Sequence, residues 1–176
     1  MGAYYEATID GIRFDTHSMD NGLKLMEHSY LENDYCIAME VILSEEPAEV
    51  IWLCDYHEPD GRTQRTWENT NELGVNNETK DSVEDFKTKE RFIINLDKKA
   101  YFSTKELMEL SENENDWVIH PLPLLTNSDT ESSGGGDYHE ELSWRADWCE
   151  DKITVCFERP ENMNNISKDV FLVESW

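Results

Sequence analysis

Asp55-Tyr56-His57-Glu58-Pro59-Asp60 gathers an imidazole and three carboxylates just beyond an apolar run, Val50 to Cys54. Groups at strand ends often serve as active-site residues. With His120 or His139, His57 would form a metal or acid/base site if folding brought the rings together. The spacing offers no further support, because the chain contains neither HExxH nor a His-Cys-Cys arrangement, and no Ser or Cys stands in a motif that pairs it with a base. A small hydrolase therefore needs His57 or His120 to meet a carboxylate in a cleft.

A second candidate is Gly134-Gly135-Gly136, followed by Asp137-Tyr138. Successive glycines can present backbone N–H groups as an anion nest. The run matches neither GxxxxGK[ST] nor GxGxxG, no Lys follows it, and Asp129, Glu131 and Asp137 would repel phosphate. Those carboxylates also lack the spacing of an EF-hand. A small-ligand reading, in which the chain sequesters a nucleotide, requires donors from Arg145 or from the basic middle of the chain. No metal or cofactor is expected.

Charge is the stronger signal. The chain carries 39 Asp and Glu against 15 Lys and Arg, a formal net charge of −24. Such a field disfavours direct binding to nucleic acid or to an anionic membrane surface and favours a basic partner. Ten carboxylates and no Lys or Arg lie between Leu25 and Gly61, and thirteen with the single base Arg145 lie between Glu106 and Asp151. Nine bases against eight acids make the intervening Arg62 to Lys105 nearly neutral. The bland reading of both blocks is a solvated surface. The functional reading is an array of acceptors for Arg and Lys that imitates duplex phosphates. Glu45, Glu46 and Glu49 in the first block, and Glu112, Glu114, Asp116, Glu140 and Glu141 in the second, are the expected contacts. Trp67, Trp144, Trp148 and Trp176 stand in polar surroundings and are either core residues or anchors of such an interface.

The elements that must position these groups indicate an α+β fold, with an antiparallel or mixed sheet, an N-terminal β-hairpin and three or four helices on one face. In YYEATIDGIRFDT the pair Asp10-Gly11 predicts a two-residue turn that sets Ile9 opposite Ile12 and Thr8 opposite Arg13. Helical spacing follows Gly22, and a longer helix capped by Asn33 or Asp34 runs to Pro47. Residues 57–80 read as a loop or insertion, Ser82 as the cap of a short helix, and Arg91 to Phe102 as a second hairpin. Ser103-Thr104-Lys105-Glu106 has capping-box spacing. The prolines of His120-Pro121-Leu122-Pro123 predict an extended or edge segment. From Thr126 onward the composition predicts a surface loop, with 127–141 flexible and rich in glycine. Strands are expected from Lys152 and at Val170 to Val173. A single domain over 1–176 accommodates all of this. The four cysteines show no CxxC spacing, and Cys54 and Cys156 lie in apolar runs, so buried free thiols in a cytosolic protein are expected.

Met1-Gly2-Ala3-Tyr4-Tyr5, Asn21-Gly22-Leu23-Lys24-Leu25-Met26-Glu27-His28-Ser29-Tyr30, His120-Pro121-Leu122-Pro123-Leu124-Leu125-Thr126 and Gly134-Gly135-Gly136-Asp137-Tyr138 resemble segments of a group of small proteins carried by phages and other mobile elements of Gram-positive bacteria. Trp148, Asp151 and Ile153 meet a further Trp-x-x-Asp-x-Ile spacing of that group. The resemblance implies a phage-type setting in a bacterial host cell and assigns no chemistry. Where the group has a Gly/Asn/Arg-rich segment before the triple glycine, this chain has Asn127 to Ser133. Charge and resemblance together lead to a non-enzymatic inhibitor of a basic host protein that normally binds nucleic acid, such as a CRISPR effector or a restriction enzyme.

Overall fold

Strands β1 (Tyr5–Ile9) and β2 (Ile12–Phe14) pair in the expected register, Thr8 opposite Arg13 and Ile9 opposite Ile12, in a computed structural model that describes residues 3–59, 63–129 and 142–175. Asp10 and Gly11 both take positive φ, 48° and 82°, as this turn demands. The hairpin is buried on both faces of β1. On its polar side the Arg13 guanidinium bonds the Glu6 carboxylate and stacks on Trp67 at 4.0 Å.

The hairpin belongs to an eight-stranded mixed sheet, one strand in from its edge. Its remaining strands are β3 (Ala48–Cys54), β4 (Asn71–Leu73), β5 (Phe92–Asn95), β6 (Ala100–Ser103), β8 (Lys152–Cys156) and β9 (Asn164–Asn165), in the order β4-β2-β1-β3-β8-β5-β6-β9. The outermost pairs, β2 with β4 and β6 with β9, are parallel and the others antiparallel. A separate ribbon joins β7 (Asp116–Val118) to β10 (Val173–Ser175). Alternate strand residues, among them Val50, Trp52, Ile93, Phe102 and Ile153, form the main core with the helices. Phe92, Ile94 and Tyr101 form a smaller cluster from the opposite side chains of β5 and β6.

Five α-helices supply that core: α1 (Leu25–His28), α2 (Asp34–Glu45), α3 (Asn77–Lys87), α4 (Thr104–Leu110) and α5 (Pro121–Leu125). The Asn33 side chain caps α2, accepting from the N–H groups of Tyr35 at 2.9 Å and Cys36 at 3.2 Å. Asn33→Ala should lower unfolding free energy by about 1 kcal/mol; a chemical melt unchanged from the parent would contradict that role. Ser103 caps α4 through Glu106 N–H.

Five expectations are corrected. The 57–80 segment contains β4 and the start of α3, and Asn76 rather than Ser82 caps that helix. His120-Pro121-Leu122-Pro123 is helical, since the prolines occupy first-turn positions that have no intrahelical partner for an N–H, and His120 Nδ1 accepts from Leu122 N–H. Thr126, Asn127 and Ser128 are buried beside β3. There Trp52 N–H donates to Thr126 O and Ser128 N–H to Trp52 O, so the polar backbone is satisfied without water. Cys156 is exposed, on the outward side of β8, whereas Cys36 and Cys54 are buried thiols. Residues 130–141 lie outside the described residues, and with them most of the 127–141 segment expected to be flexible.

Candidate protein-docking site

Among the expected carboxylates, Glu45 and Glu46 fall at the C-terminal end of α2 and Asp116 beside its N-terminal end. Glu45 and Glu46 close its C-terminal turn and line a depression with Asp10 from the hairpin turn. At the other end Asn33, the helix cap, lines a groove with Asp116 and Glu32. The twelve residues of α2 span about 18 Å between its two ends. Glu45, Glu46, Glu112 and Glu114 are exposed, and none has a basic partner within ion-pair distance among the described residues. Glu49 differs: the hairpin turn receives its N–H on Asp10 Oδ1, and Arg65 Nε lies 3.4 Å from its carboxylate. Burial raises the Glu150 pKa, and the adjacent Glu49 charge adds to that. Glu140, Glu141, Gly134, Gly135, Gly136, Asp137 and Tyr138 lie outside the described residues.

The groove at the N-terminal end encloses about 330 Å³ and is the more developed of the two. Its walls come from Tyr30, Trp117 on β7 and Met108 on α4. Trp117 meets Tyr30 edge to face, with centroids 4.6 Å apart and planes at 83°. It is nevertheless 48% exposed, and Met108 is 46% exposed. Burial, followed by the Glu174 charge across the ribbon, raises the Tyr30 pKa. Aromatic side chains accessible beside carboxylates are a combination that protein interfaces use as anchor and polar rim. Of the tryptophans singled out in the sequence, Trp148 is in the core. Trp117 was hidden in an apolar run, and only the pairing of β7 with β10 turns it outward.

The chemistry-bearing residues are used structurally. His120 and Glu40 do meet, but completely buried: His120 Nε2 donates to Glu40 Oε2 at 3.2 Å, and Arg91 Nε donates to Oε1 at 2.8 Å. Burial alone would raise the Glu40 pKa, yet the His120 hydrogen bond and the Arg91 charge hold it below the usual range. His57 Nε2 lies instead 3.2 Å from Thr63 O, so the two rings do not form one site. Cys54 is pushed up to about 11, by burial first and then by Asp129 and Asp55. That keeps its thiol protonated and unreactive. Arg145, the donor a small-ligand site would need, is buried with Nη2 3.2 Å from Asp129 Oδ1, and Asp129 also accepts from Tyr5 OH. Glu6, Asp15 and Glu72 are close enough to share an ion, but Arg13 already lies between Glu6 and Glu72.

In comparisons with family models, curated proteins and solved structures, nothing matches this chain. Its geometry alone therefore carries the reading. Among the described residues no helix is long and apolar enough to cross a membrane.

Proposed function

We propose that the protein is a phage-type, non-enzymatic inhibitor that docks through its acidic surface on a basic host protein whose normal ligand is nucleic acid, a CRISPR effector or restriction enzyme being the natural class. The observation that supports this is how the chain spends its few cations. Arg13, Arg91 and Arg145 are buried on Glu6, Glu40 and Asp129, and Lys87, Lys89, Lys98 and Arg159 neutralise Asp34, Asp85, Asp151 and Glu106. Glu45, Glu46, Glu112 and Glu114 are left exposed without such partners among the described residues. Repulsion among them is relieved when a cationic surface replaces water.

Affinity capture from lysate of a Gram-positive host should yield a basic partner at low salt that is lost at high salt. With that partner purified, Glu112→Lys with Glu114→Lys should slow association by about tenfold or more while dissociation changes less. An association rate unchanged by the reversal would remove the second block from the interface.

A further inference from the structure

We propose that the Tyr30–Trp117–Met108 groove receives an arginine or lysine side chain from an extended basic segment of the partner, the aliphatic stem lying on Trp117 and Met108 and the cationic head reaching the carboxylate rim. The inference rests on the docking reading above and names the chemistry of one contact within it. Three places in the same fold show how this chain holds a cation. Arg13 lies on the Trp67 ring with Glu6 beside it, Arg159 lies on Tyr101 and Phe92 with Glu106 at 2.6 Å, and Lys89 lies on Phe157 with Asp85 at 2.9 Å. Each combines an aromatic face with a carboxylate, which together satisfy both the apolar stem and the charged head.

The groove repeats that combination in an accessible form. Two rings at right angles supply the wall and Glu32 and Asp116 line the same space, while Glu112 and Glu114 are exposed on the segment that leads from α4 into β7. The neighbouring depression contains Lys87, Lys89 and Lys105. Lys87 is neutralised within the chain by Asp34 and Glu84, Lys89 by Asp85, and Arg91, which also lines that depression, by Glu40, whereas the groove itself is lined by Glu32 and Asp116 and, among the described residues, by no Lys or Arg. Charge complementarity thus favours a cationic occupant. A second copy of this chain, also at −24, is disfavoured by the same charge.

The test uses the full chain labelled with ¹⁵N and titrated with acetyl-Gly-Arg-Gly-Arg-Gly-amide, followed through the Trp117 indole N–H. The control peptide carries citrulline, a neutral isostere, in place of each arginine. The arginine peptide should shift the Trp117 resonance and bind at least about tenfold more tightly than the citrulline peptide, the difference shrinking as salt is raised. Trp117→Ala removes the ring packed on Tyr30 and should cost only a modest amount of stability, yet it should abolish the peptide-induced shifts of the Tyr30 and Val118 backbone amides that accompany binding in the parent. Glu32→Gln with Glu112→Gln and Glu114→Gln should weaken binding several-fold and flatten its salt dependence. Equal binding of the two peptides, or no movement of Trp117 at millimolar arginine peptide, would overturn the proposal. So would concentration-dependent self-association abolished by Trp117→Ala, since the groove would then hold a second copy. Failure of the peptide with continued capture of a basic partner removes the groove contact alone. Binding of the peptide without any captured basic partner leaves the groove and removes the inhibitor reading.

Discussion

Replacing Glu40 with Ala should cost about 3–5 kcal/mol of unfolding free energy, the range for breaking a buried ion pair by deleting one partner. The carboxylate is fully buried on α2, in the apolar stretch Met39-Glu40-Val41-Ile42-Leu43, and it ties three elements together. Arg91 Nη2 reaches its second oxygen at 3.3 Å, and Arg91 Nη1 donates to Phe86 O at 2.8 Å, the last turn of α3. His120 adds the N-cap of α5. Without Glu40 the guanidinium stays buried with its charge unopposed, whereas replacing Glu40 and Arg91 together with Met should recover much of the loss. Urea unfolding of the parent, the single and the double variant decides the matter. If the single variant is as stable as the parent, the network is not what holds α2 to the β5 entry and α5.

Acid should weaken the fold well before the bulk of its carboxylates titrate. His28 is fully buried between Trp52 and Tyr35; Trp52 Nε1–H donates to His28 Nε2 at 2.9 Å, which leaves the ring proton on Nδ1, facing Gly22 O at 3.2 Å. Burial lowers its pKa from 6.5 to about 4. Between those values the unfolded chain binds a proton that the folded chain does not, so stability falls as pH drops through this window. The integrated loss is on the order of 3 kcal/mol. Glu40, whose folded pKa is depressed, adds a further loss that begins as pH falls through 4.5 and continues below it. Relief of repulsion among the surface carboxylates has the opposite sign, but it belongs to that lower window. Unfolding free energies measured from neutral pH down to pH 4 should decline, and a flat profile above pH 5 would show that His28 is protonated in the folded state or exposed.

Local backbone chemistry was legible in the sequence where one residue decides it. Asp10-Gly11 set the hairpin register, Asn33 and Ser103 capped α2 and α4, and Pro47 marked the end of α2. The α+β class with a mixed sheet followed from those elements. What escaped were features settled by tertiary packing. Pro121 and Pro123 remove the same N–H groups in an edge strand and in a first helical turn, so only the burial of Leu122, Leu124 and Leu125 chooses between them. The β4 residues are exposed and carry no alternation, and their pairing to β2 alone makes them a strand. Glu45, Glu46, Glu112 and Glu114 were singled out by charge count, and the structure leaves all four exposed. Glu40 belonged to the same count and proved to be a core residue, since composition does not tell a paired interior carboxylate from a solvated one. The one available hint was its position, surrounded by apolar neighbours on a helix with no polar face.

In the proposed function this surface takes the place of nucleic acid on a basic partner. Its most direct test is competition: the captured host protein is bound to labelled duplex DNA, and the wild-type chain or its Glu112→Lys, Glu114→Lys variant is added at low salt. The wild-type chain should displace the DNA, with the variant far less effective and raised salt abolishing the difference. Simultaneous binding of DNA and the wild-type chain to the partner, or equal displacement by both chains, would contradict the account.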